Sequence, residues 1–320
     1  MSSSDRVSKR ENRRGYKRAA QVGLSTAGAL VGGALGVAAY TSHVLNGPRG
    51  SDPLGAFSFT PWEVRVPFEP VSFTAEDGIT LRGWWFPCED SQRIVIGYTG
   101  HKGVKQDLLG VGSGLWRAGN NVLLFDFRGC GESDLAPLSL GYNELPDARA
   151  AIAYARDRLP ESQIGIIGFS MGAAIAILVA AEDDRVRAVV ADSPFATIND
   201  VLVHAHRRYR LPVAVTVSLT DLVTRVRYGY GFNAVRPISV VDRVAPRPLL
   251  LIHGSADGLI PVAHAHRLHA AAGPSSRLWI VDDVPHCGAY FRNRAEYVTR
   301  VGSFFQHALS PVTLSAQAGE

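Results

Sequence analysis

Three side chains with the makings of a nucleophilic site, Ser170, Asp257 and His286, each follow a strand-like run, in that order. Ser170 lies in Gly168-Phe169-Ser170-Met171-Gly172, between the apolar β-branched run 163–167 and an alanine-rich stretch at 173–181. That pattern reads as strand, sharp turn, helix. A serine on such a turn is pushed out at the top of the strand, where its hydroxyl can attack a carbonyl carbon. The flanking glycines fit a turn too crowded for a side chain. A hydroxyl needs a base to take its proton, an acid to hold the base, and N–H groups to meet the oxyanion. Asp257, in Gly254-Ser255-Ala256-Asp257, and His286, in Val284-Pro285-His286, supply the acid and the base. A Gly-x-Ser-x-Gly alone is expected about 0.2 times by chance in a chain of this length, so the surrounding elements decide its meaning.

Those elements alternate. Runs at 93–98, 121–127, 163–167, 186–192, 248–253 and 277–281 read as strands. Helical stretches near 106–118, 142–158, 173–181, 262–272 and 294–309 separate them. Strands apolar on both faces predict an α/β domain with a mostly parallel central sheet and helices on both faces. Asp77-Gly78 between the alternating runs 71–75 and 79–86 predicts an antiparallel hairpin at one edge. Trp84 and Trp85 should point to opposite faces of that hairpin. Residues 195–236 break the rhythm. They read as a small helical lid over the site, or as an ordinary pair of packing helices with solvated arginines.

Length and charge narrow the classes. The 320 residues hold one large domain plus extras, and 46% hydrophobic content is that of a globular chain. The net charge of +4 is a property of the N-terminus. Residues 1–18 carry seven Lys/Arg against Asp5 and Glu11, so the rest of the chain is near −1 and offers no nucleic-acid surface. The 29 residues from Ala19 to Gly47 carry no Asp, Glu, Lys or Arg. The organisation expected is a basic cytoplasmic tail at 1–18, a transmembrane or signal segment at 19–45, a linker at 46–63, the catalytic domain at 64–310 and a disordered tail at 311–320. The preceding cations would keep the N-terminus cytoplasmic and send the domain across the membrane. Val37-Ala38-Ala39 offers a signal-cleavage alternative, and Arg13-Arg14 an imperfect twin-arginine one; a non-inserting Gly/Ala tail is the third reading. Gly28, Gly32 and Gly36 share a helix face that reads as a packing surface or as simple glycine abundance.

The chain resembles the α/β-hydrolase superfamily over about residues 70–308, and within it the serine-aminopeptidase and acyl-transferase/thioesterase-like serine hydrolases of bacteria. The resemblance rests on Ile96-Gly97-Tyr98-Thr99-Gly100, 126–133 (Asp-Phe-Arg-Gly-Cys-Gly-Glu-Ser), Gly168–Gly172, Asp192-Ser193-Pro194-Phe195, 252–257 and Pro285-His286. It implies Ser170 as nucleophile, His286 as base, Asp257 as the acid behind it, and the backbone N–H groups of Tyr98 and Met171 as the oxyanion hole. Ile96 stands where relatives often carry His, and Cys287 where they often carry Gly.

Competing candidates have simpler readings. Asp192 also follows a strand, but Asp257 sits in the expected Gly-x-x-Asp turn. Cys130 and Cys287 lie at the same end of the sheet and a bridge between them is conceivable; free thiols are the default. His204/His206 and His264/His266/His269 have metal-like spacing without a carboxylate or cysteine cluster, so no metal is expected. Gly110, Gly112 and Gly114 do not make a dinucleotide fingerprint, and no cofactor is expected. Arg128 reads as structural. The function expected is hydrolysis of a carboxylic ester or thioester, small or lipid-like, at an extracytoplasmic membrane surface. An aminopeptidase, or a non-catalytic binding module on the same fold, is the alternative.

Overall fold

The computed structural model describes residues 32–49, 59–208 and 213–310. Eight strands form one sheet in the order β1-β2-β4-β3-β5-β6-β7-β8. They are β1 (Glu69–Thr74), β2 (Thr80–Phe86), β3 (Arg93–Tyr98), β4 (Asn121–Phe125), β5 (Gln163–Phe169), β6 (Val186–Asp192), β7 (Leu249–Gly254) and β8 (Ser276–Val281). From β4 to β8 every neighbour is parallel; β1 and β2 add antiparallel pairing at one edge, as the Asp77-Gly78 turn requires. Every residue of β4 and β7 is buried, because helices cover both faces of a parallel sheet.

The helices are α1 (Leu109–Arg117), α2 (Leu145–Arg158), α3 (Met171–Glu182), α4 (Ile198–Arg208), α5 (Val213–Tyr228), α6 (Ala263–Ala272), α7 (Ala289–Arg292) and α8 (Arg294–Ala308). Helices α2, α3 and α6 pack on one face with Trp85, Tyr98 and Phe125. Helices α1 and α8 pack on the other with Trp84, Val95 and Leu124. Adjacent tryptophans thus feed opposite cores, as strand alternation dictates. Helix α3 is buried from Met171 to Ala180, and its small side chains let it lie tightly under the sheet's centre. The stretch expected to be helical from residue 106 begins instead as a 3-10 turn, Lys105–Leu108. Helix α2 starts at Leu145 rather than 142, since Glu144 is held back by the Ser139 and Gly141 N–H groups.

Residues 195–236, expected as a lid or as a packing pair, contain α4 and α5, joined through residues 209–212, which lie outside the described residues. Phe195, Ile198 and Leu202 pack with Val217, Tyr230 and Phe232 in a third apolar cluster over α3.

The N-terminus differs from the expected division. The tails at 1–18 and 311–320, and residues 19–31 of the expected span, lie outside the described residues. Residues 32–46 are helical, and their last turns are docked on the body. Ala38, Ser42 and Asn46, one face at i, i+4, i+8, are buried. Ser42 Oγ lies 2.9 Å from Thr224 Oγ1, the Tyr230 hydroxyl donates to Asn46 Oδ1, and Lys102 Nζ donates to the Val44 carbonyl. His101 Nε2 lies 2.8 Å from the Leu45 carbonyl, which requires the proton on that nitrogen. Further on, Leu138 donates to the Asn46 carbonyl and Arg49 to that of Gly129. Residues 46–49, expected as linker, are therefore part of the body, because polar side chains in the charge-free stretch find partners there. No helix of the described residues is long and apolar enough to cross a membrane.

Candidate active site

The site is built where β3, β5, β6, β7 and β8 end. Ser170 follows β5 with φ 53° and ψ −113°, a backbone that an L residue adopts only under constraint, at a cost of about 1–3 kcal/mol. The constraint is visible in the flanking glycines. A Cβ on Gly168 would run into the Gly172 carbonyl, and one on Gly172 into the Tyr98 and Thr99 carbonyls. The turn also places Ser170 at the N-cap of α3, so the amide of Met171 opens a helix N-terminus beside the hydroxyl.

Ser170, His286 and Asp257 come together. His286 Nε2 is 2.9 Å from Ser170 Oγ, and His286 Nδ1 is 2.7 Å from Asp257 Oδ2. The other carboxylate oxygen, Asp257 Oδ1, accepts from the amides of Leu259 and Ile260 at 2.9 and 2.8 Å. Burial pushes the Asp257 carboxyl up, but hydrogen bonds from His253, His286 and the Ile260 amide outweigh it and hold it well below the usual carboxylate range. An ionised Asp257 draws the imidazole proton to Nδ1 and leaves Nε2 to accept from the serine hydroxyl.

Asp192 is not in this chain. Fully buried, it accepts from the Tyr297 hydroxyl at 2.9 Å and from Ser193 Oγ at 2.9 Å. Burial raises its carboxyl to about 6 against those two hydrogen bonds. Its role is to tie loops: its carbonyl receives the Ser170 amide, while Ser193 Oγ receives the Cys287 amide. The sequence reading missed this support, although Asp192-Ser193-Pro194 at a strand end is its signal. It also missed His253, whose Nε2 lies 2.8 Å from the Ile260 carbonyl and 3.3 Å from Asp257 Oδ2, bracing the acid from behind.

Tyr98 ends β3 in register with Gly168. Its side chain points away into the core, donating to the Ala148 carbonyl. The following loop crosses Ser170 closely: a Cβ on Gly100 would stand 3.5 Å from the Ser170 Cβ.

Other singled-out residues have structural work. Arg128 is buried between Asp147 and Asp77, at 2.6 Å from each. Cys130 and Cys287 are free thiols, and burial pushes Cys130 up to about 12. His264 Nδ1 accepts from the Ala196 amide, and His269 Nδ1 lies 2.8 Å from Ser276 Oγ. Among the described residues no His, Cys, Asp and Glu group is arranged to hold a metal ion. The glycines of α1 serve packing: Gly112 faces Leu124, and Gly114 faces Val298.

Known proteins resemble this chain in sequence and fold. Residues 94–211 match the family model described as alpha/beta hydrolase fold. The uncharacterized protein YfhR of Escherichia coli (strain K12) is 30% identical over 264 residues, covering 78% of this chain and 84% of that protein. The uncharacterized protein YqkD of Bacillus subtilis (strain 168) is 32% identical over 193 residues, 59% of this chain and 63% of that protein. Among solved structures, the Pyrococcus furiosus esterase Pf2001 superposes with a TM-score of 0.67 at 29% identity, covering 83% of this chain and all of the esterase chain.

Proposed function

Because the chain belongs to the α/β-hydrolase superfamily, we propose that it is a serine hydrolase that cleaves a carboxylic ester or thioester through an acyl-serine intermediate on Ser170. The observation that carries this reading is the Ser170–His286–Asp257 chain of contacts at 2.9 and 2.7 Å. Ser170 Oγ attacks the carbonyl carbon while His286 Nε2 takes its proton. Asp257 keeps the imidazole in the required tautomer and balances its charge. The oxyanion of the tetrahedral intermediate would meet the N–H groups of Met171 and Tyr98. His286 then protonates the departing alcohol or thiol. Water, deprotonated by the same nitrogen, releases the acid and restores the serine.

The lid bears on substrate choice. An aminopeptidase needs an unpaired carboxylate for the substrate's α-amino group. The two lid carboxylates are taken: Asp200 pairs with Arg267 at 2.7 Å, and Asp221 pairs with Arg225 at 2.7 Å and accepts from the Phe232 amide. That favours neutral or anionic acyl substrates, and the resemblance to an esterase supports it. Turnover of p-nitrophenyl acyl esters against aminoacyl p-nitroanilides tests the choice; the esters are expected to be cleaved faster by orders of magnitude, and preference for the anilides would overturn it.

The N-terminus is read as a membrane anchor that leaves the catalytic domain outside the cytoplasm, with export after signal cleavage as the alternative. With Ala38, Ser42 and Asn46 buried against the body, a spanning segment has residues 19–37 available. Protease accessibility of the domain in intact cells tests this: cleavage from outside is expected, and protection until lysis would contradict it.

A further inference from the structure

The helix at 32–46 ends on the loop that follows Tyr98. A helix leaves its last four carbonyls without intrahelical partners, and they must find donors elsewhere. The His43 carbonyl takes the Gly47 amide, and the Asn46 carbonyl takes the Leu138 amide. The two between them are met by side chains of the loop. The Val44 carbonyl accepts from Lys102 Nζ at 2.7 Å, and the Leu45 carbonyl lies 2.8 Å from His101 Nε2. Arg49 closes the contact from the other side, its Nη1 donating to the Lys102 carbonyl at 2.6 Å.

That loop is the one that crosses the serine. It starts at the end of β3 and runs to Lys105, whose amide and Nζ bind the buried Asp126 carboxylate. Between those fixed ends a Cβ on Gly100 would stand 3.5 Å from the Ser170 Cβ and 3.6 Å from the Phe169 carbonyl. Lys102 holds φ at 59°, a left-handed backbone that an L residue keeps where its surroundings impose it. The carbonyl of this strained residue is the one that Arg49 binds. Burial holds the His101 imidazole below its usual range, so at pH 7 the ring is a neutral N–H donor.

We propose that His101, with Lys102 and Arg49, is a positioning residue for acyl transfer: through the Leu45 carbonyl, the end of the N-terminal helix holds the 98–103 main chain against Ser170. The inference rests on the acyl-serine reading, in which the Tyr98 amide receives the oxyanion. A small shift of the loop carries that amide off the line of the developing charge. Such a shift costs rate rather than affinity for the ground state. Residues 44–49 thereby belong to the working site, acting through the loop rather than on the substrate.

The test measures p-nitrophenyl butyrate turnover by the full chain carrying His101→Ala, His101→Gln or Arg49→Ala, with folding checked by circular dichroism. His101→Ala should lower kcat about 10–100-fold and leave KM within about threefold. An alkyl trifluoromethyl ketone takes Ser170 Oγ onto its carbonyl carbon to give an oxyanion, the proton passing to His286; its Ki should rise by the same factor. His101→Gln, which returns a neutral N–H donor, should recover kcat to within about threefold of native. Arg49 is exposed, so Arg49→Ala carries the test if His101→Ala does not fold, and it should lower kcat about threefold. Native kcat in folded His101→Ala or Arg49→Ala, with only the melting midpoint moved, would overturn the proposal and leave the acyl-serine reading standing. A loss that His101→Gln leaves unrepaired, or one confined to KM, would overturn it as well. If the native chain neither hydrolyses the ester nor is labelled by a fluorophosphonate, the reading and the inference fall together.

Discussion

The Cys287 thiol lies 3.5 Å from His286 Nε2, the same nitrogen that faces the Ser170 hydroxyl at 2.9 Å. Two potential nucleophiles therefore share one base. Burial, reinforced by Asp192 and Asp257, pushes the Cys287 thiol well above its usual range and keeps it protonated. Cys287 also holds φ at 52°, a backbone that glycine adopts without cost. Cys287→Gly should keep ester turnover within about threefold, and iodoacetamide at neutral pH should leave the native enzyme active. Inactivation by the alkylator that Cys287→Gly abolishes, together with lost turnover, would move the chemistry to the thiol.

Asp257→Asn should lower kcat by about 10³–10⁴-fold, because the amide favours the wrong imidazole tautomer. The same residue makes a stability prediction with a definite sign. Its folded-state carboxyl sits below the unfolded one, so its contribution is present above the ordinary carboxylate range and is lost as pH falls toward the folded value. Between pH 5 and pH 3, urea midpoints of the native protein should therefore fall more steeply than those of Asp257→Asn. Parallel slopes would show that the carboxylate gains nothing from its partners.

Gly172→Ala should destabilise the fold by about 2 kcal/mol or more, since the added methyl meets the Tyr98 and Thr99 carbonyls rather than a movable side chain. Thermal unfolding measures this, and an unchanged midpoint would mean that the turn after β5 relaxes more easily than its geometry implies.

Arg128→Met leaves Asp147 buried without its cation. The guanidinium also ties Asp77 in the β1–β2 turn to the start of α2, so the loss crosses three elements. A destabilisation of about 3–5 kcal/mol is expected from urea unfolding. Recovery of most of it in Arg128→Met with Asp147→Leu would show that the stranded charge, rather than the tie itself, is the main cost.

Much of the site was legible because its parts are local. The turn around Ser170 needs glycines at 168 and 172, and Asp257 and His286 each follow a strand of a parallel sheet, whose carboxyl ends converge. What stayed hidden depends on long-range neighbours. His253 braces Asp257 by reaching the Ile260 loop, and Ser193 joins Asp192 to the loop of Cys287, a partner about ninety residues away that the Asp192-Ser193-Pro194 signal does not name. The docking of residues 38–49 on the body stayed hidden for a related reason. A run without charges from 19 to 47 satisfies the rule for a span, yet Ser42 and Asn46 are polar at one helix face, and that face binds the body. Helix α5 was similarly opaque, because nothing in its composition says that its threonines point inward.

If Ser170 carries the acyl group, it is also the residue that a fluorophosphonate modifies. Intact-mass measurement after treatment with a fluorophosphonate, followed by peptide mapping, tests it most directly. One adduct per chain is expected, located on the peptide holding Ser170, absent from Ser170→Ala and greatly slowed in His286→Ala. An adduct of equal yield on the Ser170→Ala protein would contradict it.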